Sequence, residues 1–136
     1  MTVIDISAYA AFLIGEEGRE KVQPWLDPDQ APRSLFLLLA ETGNVLWKYW
    51  RRGGLLPEEA RKLFAHTMKI CREGVILIEP DDYYADQALI LAMNYTHPFY
   101  DMLFVAQAME THEGLVTGDR SQADVASRCG VEVVRV

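Results

Sequence analysis

The sequence has only two cysteines in 136 residues, Cys71 and Cys129, far apart and in no C-x-x-C spacing. It therefore encodes neither a disulfide framework nor a thiolate zinc site, and both read as small buried hydrophobes. Its three histidines, His66, His97 and His112, form no H-x-x-x-H or H-E-x-x-H pattern, which removes zinc hydrolase chemistry. Any metal must be held by oxygen. No stretch approaches the ~20 apolar residues of a membrane helix, and the N-terminus lacks the basic, apolar and small-residue segments of a secretory leader. A soluble, cytoplasmic protein with no membrane association is expected. Repeats and low-complexity linkers are also missing. Half of the residues are hydrophobic, enough for one domain spanning residues 1–136 and too little for two.

Positive charge is in short supply as well, with 13 Lys and Arg against 20 Asp and Glu and a net charge of −7. That balance argues against a protein that coats nucleic acid through bulk electrostatics. The distribution is uneven, however. Lys48, Arg51, Arg52, Arg61, Lys62, Lys69 and Arg72 face only Glu58 and Glu59 in the same segment, a local surplus of five positive charges that leaves the rest of the chain at −12. A basic segment beside an acidic centre suits a polyanion held by its backbone; a solvated helix face is the plainer reading of the same residues.

The order of elements points to an α/β domain. Thr2-Val3-Ile4 is a short β-branched run ending in Asp5, as in a first buried strand, and Ser7 can cap a helix through about Leu13. Glu16 to Asp27 reads as a short amphipathic helix stopped by Pro28, and Pro32 marks a loop. The apolar stretch from Leu35 begins in a way compatible with a strand, but Leu, Ala and Glu favour a helix from about Leu37 to Trp50, with Gly53-Gly54 as its stop. Pro57-Glu58-Glu59 opens the next helix, running to about Cys71. Val75 to Ile78 suits a central parallel strand. Asp81 or Asp82 then caps a helix through about Tyr95, Thr96-His97-Pro98 breaks the chain, and a further helix covers about Tyr100 to Glu113. Leu115 to Thr117 reads as a strand, Ser121 or Gln122 to Arg128 as a small helix, and Glu132 to Val136 as a last strand. This succession predicts a mainly parallel central sheet with helices on both faces, where ligands collect at the carboxyl ends of strands.

Four acids acquire meaning in that frame. Asp5 ends the first strand and Asp119 follows the third, so both belong to one rim. Glu41 and Asp101 sit in otherwise apolar helices, where charges are costly unless paired. Each has an ordinary alternative: Asp5 and Asp119 as helix caps, Glu41 paired with Lys48 or facing solvent, and Asp101 complementing a helix N-terminus. Together, without a lysine in the same segments, they would repel one another unless a cation is present, and at least one would hold its proton tightly.

The segments V-I-D-I-S, L-L-A-E-T-G-N-V-L, Y-D-M-L-F-V-A-Q-A and L-V-T-G-D-R resemble the four sequence blocks of PIN domains, especially the VapC toxins, in the family's order and across essentially the whole chain. The resemblance implies a three-layer α/β/α PIN fold and a Mg²⁺- or Mn²⁺-dependent endoribonuclease. Carried over residue by residue, it makes Asp5, Glu41, Asp101 and Asp119 the catalytic and metal-holding cluster. Ser7 and Thr117 match hydroxyl residues beside the first and last acids, and Asn44 matches an asparagine three residues after the glutamate. A fifth acid, if one takes part, would be Asp124, because Gly118 stands between Thr117 and Asp119. The family pattern further implies a homodimer and a VapB-like antitoxin whose tail covers the acidic groove.

Such an enzyme would take single-stranded or looped RNA, since A-form grooves admit side chains poorly. Lys48, Arg51 and Arg52 follow Glu41 on the same helix and are the candidates for phosphate contact. Trp47, Tyr49 and Trp50 can stack on bases or serve as core or dimer contacts; Tyr83, Tyr84 and Tyr95 read as the latter. Two rivals remain: a catalytically silent PIN-like scaffold that binds RNA or protein, and a receiver or aspartyl-phosphatase domain. The second is disfavoured because the first strand supplies only Asp5, D-x-D is replaced by Asp5-Ile6-Ser7, and no lysine follows Lys69.

Overall fold

The computed structural model describes residues 1–15 and 17–136. Five strands, β1 (Thr2–Ile4), β2 (Pro32–Leu35), β3 (Leu77–Glu79), β4 (Gly114–Thr117) and β5 (Val133–Arg135), pair in the order β3-β2-β1-β4-β5, all parallel. Among the described residues seven helices surround them: α1 (Ile6–Ile14), α2 (Arg19–Val22), α3 (Leu37–Arg51), α4 (Pro57–Arg72), α5 (Ala85–Tyr95), α6 (Phe99–Thr111) and α7 (Arg120–Arg128). Alternation along the strands divides the apolar residues between two cores. Val3 and Leu115 pack under α5, α6 and α7, while Ile4 and Val116 pack on the other face under α1, α3 and α4. The result is the three-layer α/β/α arrangement that the resemblance implies. Residues 102–108 of α6 are buried on every side, as a helix held between a sheet and a neighbouring helix must be.

Successive strands β1, β2 and β3 step outward in one direction from β1, and β4 and β5 continue on its other side. The reversal lies between β1 and β4, so the crevice outside their carboxyl ends is where this topology gathers a ligand. Asp5 and Asp119 stand at the ends of those two strands.

Several elements differ from expectation for identifiable reasons. The segment from Pro32 is strand β2 rather than a loop: proline is tolerated as a first strand residue, and Arg33 interrupts the apolar pattern that would have revealed it. Helix α1 is capped by Asp5, whose side chain accepts from the Ala8 N–H at 2.9 Å, and not by Ser7. The expected helix of 16–27 begins at Glu16, outside the described residues; its remainder is broken into the four-residue α2 and a 3-10 turn (Gln23–Leu26), and a second such turn (Pro28–Gln30) follows, each 3-10 turn with a proline in its first turn. Strand β3 starts two residues later than expected, because the Val75 N–H still bonds back to Ile70 O beyond the Gly74 turn.

Asp81 does not cap the helix that follows it; its carboxylate instead accepts from the Leu37 N–H at 3.0 Å, capping α3, whose own flanking residue Phe36 cannot. The chain after Asp81 forms a 3-10 turn (Asp81–Tyr83) before α5 begins at Ala85. Helix α7 starts at Arg120, one or two residues before the expected Ser121 or Gln122, and Asp119 caps it. Cys71 and Cys129 are half-buried rather than buried. Gly43, in the middle of α3, is explained by close approach: a Cβ there would meet the Phe64 ring of α4 at 3.2 Å. Among the described residues no helix is long and apolar enough to cross a membrane.

Candidate active site

Asp5 is where strand becomes helix. Its N–H extends the ladder to Val116 O (3.2 Å) and its carbonyl accepts from the Tyr9 N–H (3.1 Å), so the backbone fixes the side chain at the rim from both directions. The carboxylate is fully buried. Ser7 Oγ lies 2.8 and 2.9 Å from its two oxygens, and the Thr117 hydroxyl donates to Oδ2. Ser7 Oγ in turn accepts from the Gly118 N–H at 2.8 Å, tying the end of β4 to the start of α1. Burial pushes the Asp5 pKa up to about 6; hydrogen bonds from Thr117, Ala8 and Ser7 oppose the rise and the charge of Asp119 adds to it.

Asp119 caps α7, its Oδ1 accepting from the Gln122 N–H (3.0 Å) and the Ser121 hydroxyl (2.8 Å). Burial would raise its pKa, but these bonds and the nearby His97 prevail and hold it below the usual aspartate value. Asp101, in the first turn of α6, moves the other way: burial raises it, the charges of Asp119 and Glu41 raise it further, and His97 offsets only part. The site therefore holds carboxylates of unlike proton affinity within electrostatic reach of one another, Asp5 with Asp119 and Asp101 with both Asp119 and Glu41. Glu41 is half-buried on α3. Among the described residues none of the four acids forms an ion pair with lysine or arginine, and the nearest cation-capable group is His97, 3.9 Å from Asp101.

The plain reading of Asp5 and Asp119 as helix caps is thus true of both, yet it accounts for one oxygen's bond to the backbone in each and not for the convergence of four acids. An oxygen-only donor set of this kind, with no thiolate in it, fits a hard divalent cation such as Mg²⁺ or Mn²⁺. The acids are coupled as pairs: among the described residues no three Asp, Glu, His or Cys side chains are gathered tightly enough to hold an ion as they stand.

The supporting residues divide. Ser7 and Thr117 join the site through Asp5. Asn44 is exposed one helical turn beyond Glu41, followed on the same face by Lys48 and Arg52, all exposed. Asp124 does not join: it is two-thirds exposed on α7, with Arg128 at 3.9 Å. Tyr84 is buried against Glu79, as a structural role requires, and Tyr83 is exposed. Sequence reasoning passed over three contributors. His97 reaches Ser121 Oγ at 3.1 Å, Ser121 binds Asp119, and buried Gln122 donates to the Asp101 carbonyl at 3.0 Å. Their only linear signals were a histidine four residues before one acid and a serine and glutamine two and three residues after another.

No family model matches the sequence. The fold is similar to the crystal structure of PAE2754 from Pyrobaculum aerophilum, with a TM-score of 0.73 over 98% of this chain and 83% of that one at 23% identity. A curated relative, Ribonuclease VapC3 of Pyrobaculum aerophilum, is 30% identical over 128 residues, covering 90% of this chain and 92% of that protein. Similarity of that degree along nearly the full length of both sequences makes this chain a member of the VapC family of PIN-domain proteins.

Proposed function

We propose that this protein is a Mg²⁺- or Mn²⁺-dependent endoribonuclease that cleaves single-stranded or looped RNA, and that it is the toxin of a toxin-antitoxin pair. What supports this reading is the mutual influence of Asp5 with Asp119 and of Asp101 with Asp119 and Glu41 beside the switch point of the sheet, with no lysine or arginine paired to any of them among the described residues. Asp5, Asp101, Asp119 and Glu41 would hold the cation. When bound, the cation supplies Lewis acidity toward water and compensates charge on the phosphate under attack. Ser7 and Thr117 orient Asp5 through hydroxyls that can turn from the carboxylate as it takes up an ion.

The face of α3 that carries Glu41 continues through Asn44 to Lys48, about 10 Å along the axis at 1.5 Å per residue, and ends in Arg51 and Arg52. That is a track for successive phosphates. Arg51 lies over the Trp47 ring at 4.6 Å, and Trp47 and Trp50 are about half exposed, available for base stacking. The exposed apolar side chains Leu89, Ile90 and Met93 on α5 support a homodimer, and the acidic rim supports a VapB-like antitoxin with a basic tail whose arginine would pair with the carboxylates. A cytoplasmic location is the one those partners require.

The loose spacing of the acids is also what a catalytically silent scaffold would present, and one experiment separates the two. Purified protein and mixed RNA are incubated with Mn²⁺, with Mg²⁺ and with EDTA, beside the near-isosteric Asp101→Asn variant. The expected outcome is cleavage that chelation abolishes and that the variant loses by about 100-fold or more, beyond what outer-shell residues cost. Binding without cleavage by the wild type at any metal concentration supports the scaffold and sinks the nuclease.

A further inference from the structure

The connection between α5 and α6 is three residues long and rigid at both ends. Thr96 takes a left-handed conformation (φ 50°) and Pro98 closes the connection, with the His97 N–H bonded to Ala92 O at 3.1 Å. The imidazole held there has a side chain only 9% exposed. Its Nε2 lies 3.1 Å from Ser121 Oγ, whose hydroxyl lies 2.8 Å from Asp119 Oδ1. On the other side Nδ1 lies 3.2 Å from Pro98 O and 3.9 Å from Asp101 Oδ2.

Donor accounting gives this chain a direction. An ionised Asp119 can only accept, so the single hydroxyl hydrogen of Ser121 is committed to it. Ser121 Oγ must then accept from His97, which requires a proton on Nε2. We propose that His97 is a positioning residue of the acidic site: it donates to Ser121, which donates to Asp119, and so holds Asp119 toward Asp101. The relay ties the α5–α6 connection to the N-terminus of α7, while Gln122 separately ties α7 to the Asp101 carbonyl in the first turn of α6. Metal-ligating carboxylates are commonly oriented by such outer hydrogen bonds, and losing them typically costs ~10–100-fold in affinity or rate.

The inference rests on the metal-site reading above, and the test keeps the two apart. Mn²⁺ affinity is measured by calorimetry for wild type, His97→Ala, Ser121→Ala, the double variant, His97→Gln and His97→Asn, with kcat and KM on a defined RNA and a thermal melt for each. Both alanine variants should bind Mn²⁺ about tenfold more weakly or worse and lose kcat with little change in KM. The double variant should be no worse than the poorer single one, since both break one chain. His97→Gln, whose amide nitrogen reaches as far as Nε2, should recover most of the affinity, and His97→Asn, which is shorter, should not. Unchanged Mn²⁺ affinity with a lowered melting point, additive losses, or equal behaviour of Gln and Asn would overturn the relay while leaving the metal site standing. A wild type that binds no Mn²⁺ overturns both.

Discussion

Two groups of carboxylates are taken out of water in this molecule, and the protein answers their charge in opposite ways. On the sheet, Arg33 of β2 lies between Glu79 at the end of β3 and Glu113 before β4, with its Nη1 3.1 Å from one and its Nε 3.0 Å from the other. Gln107 and Tyr84 each add a hydrogen bond to Glu79 at 3.0 Å. Burial raises the Glu79 pKa, but these bonds and the Arg33 charge more than reverse it, whereas Glu113 remains raised by burial despite Arg33 and the N-terminal ammonium. At the rim, Asp5, Asp101 and Asp119 receive hydroxyls, backbone N–H groups or an imidazole, and among the described residues neither they nor Glu41 pair with a permanent cation. The first group carries its counter-ion in the sequence, as a structural network does. The second has no such counter-ion among the described residues, and on the reading proposed above it would take one from outside.

The comparison breaks most sharply at Arg33. Arg33→Met, which fills similar volume without charge, should leave two half-compensated glutamates facing each other. Severing a fully buried pair costs ~3–5 kcal/mol; with side chains still 17% and 18% exposed at Arg33 and Glu79, about 2–3 kcal/mol is expected in urea unfolding at pH 7. Cleavage per folded molecule should be unchanged. A loss of activity without loss of stability would mean that the two groups are not separate after all.

The rim should respond in the reverse sense to losing a charge. The folded pKa of Asp5, about 6 against an ordinary 3.8, means that between those values the native state binds more protons than the unfolded one. Stability therefore falls as pH rises through that window, the full cost of the buried charge being present above about pH 6 and absent below about pH 3.8. With chelator present, Asp5→Asn should melt progressively higher than wild type as pH rises from 3.5 to 7.5, by about 2–3 kcal/mol at the upper end at ~1.36 kcal/mol per unit. It should be inactive throughout. A difference between the two proteins that does not change with pH would show that Asp5 is ionised at no cost.

Much of this arrangement was legible in the chain. The apolar runs at Val3-Ile4 and Leu115-Val116 locate the two central strands, and acids one or two residues after them fall on the rim by the geometry of any parallel sheet. Strand β2 was harder to read because Pro32 and Arg33 look like a loop; Arg33 is there for Glu79 and Glu113, which lie 46 and 80 residues away and carry no local trace of their pairing. The capping of α3 by Asp81 was hidden for the same reason. Asp81 precedes a helical stretch that it or Asp82 is expected to cap, while its partner, the Leu37 N–H, comes from a segment 44 residues earlier. His97 was visible only as part of a helix break, since nothing in the linear sequence joins it to Ser121 across 24 residues. Periodicity reports what a segment buries; long-range pairing of polar groups leaves no period to find.

The finest distinction lies within α7, between Asp119 and Asp124. Five residues at 100° each turn Asp124 about 140° away from the direction of Asp119, toward solvent, where Arg128 sits one turn on. An exposed pair of this spacing contributes little, because water and salt screen it and the long Arg128 side chain must be held still. Asp124→Ala should accordingly shift unfolding by less than about 0.5 kcal/mol and leave the rate and metal dependence of RNA cleavage unchanged, whereas an equivalent change at Asp119 removes a helix cap and, on the proposed reading, a ligand. A marked fall in Mn²⁺ affinity for Asp124→Ala would mean that α7 unwinds or rotates when the cation binds, and would move the boundary between the self-neutralised and the open carboxylates by one helical turn.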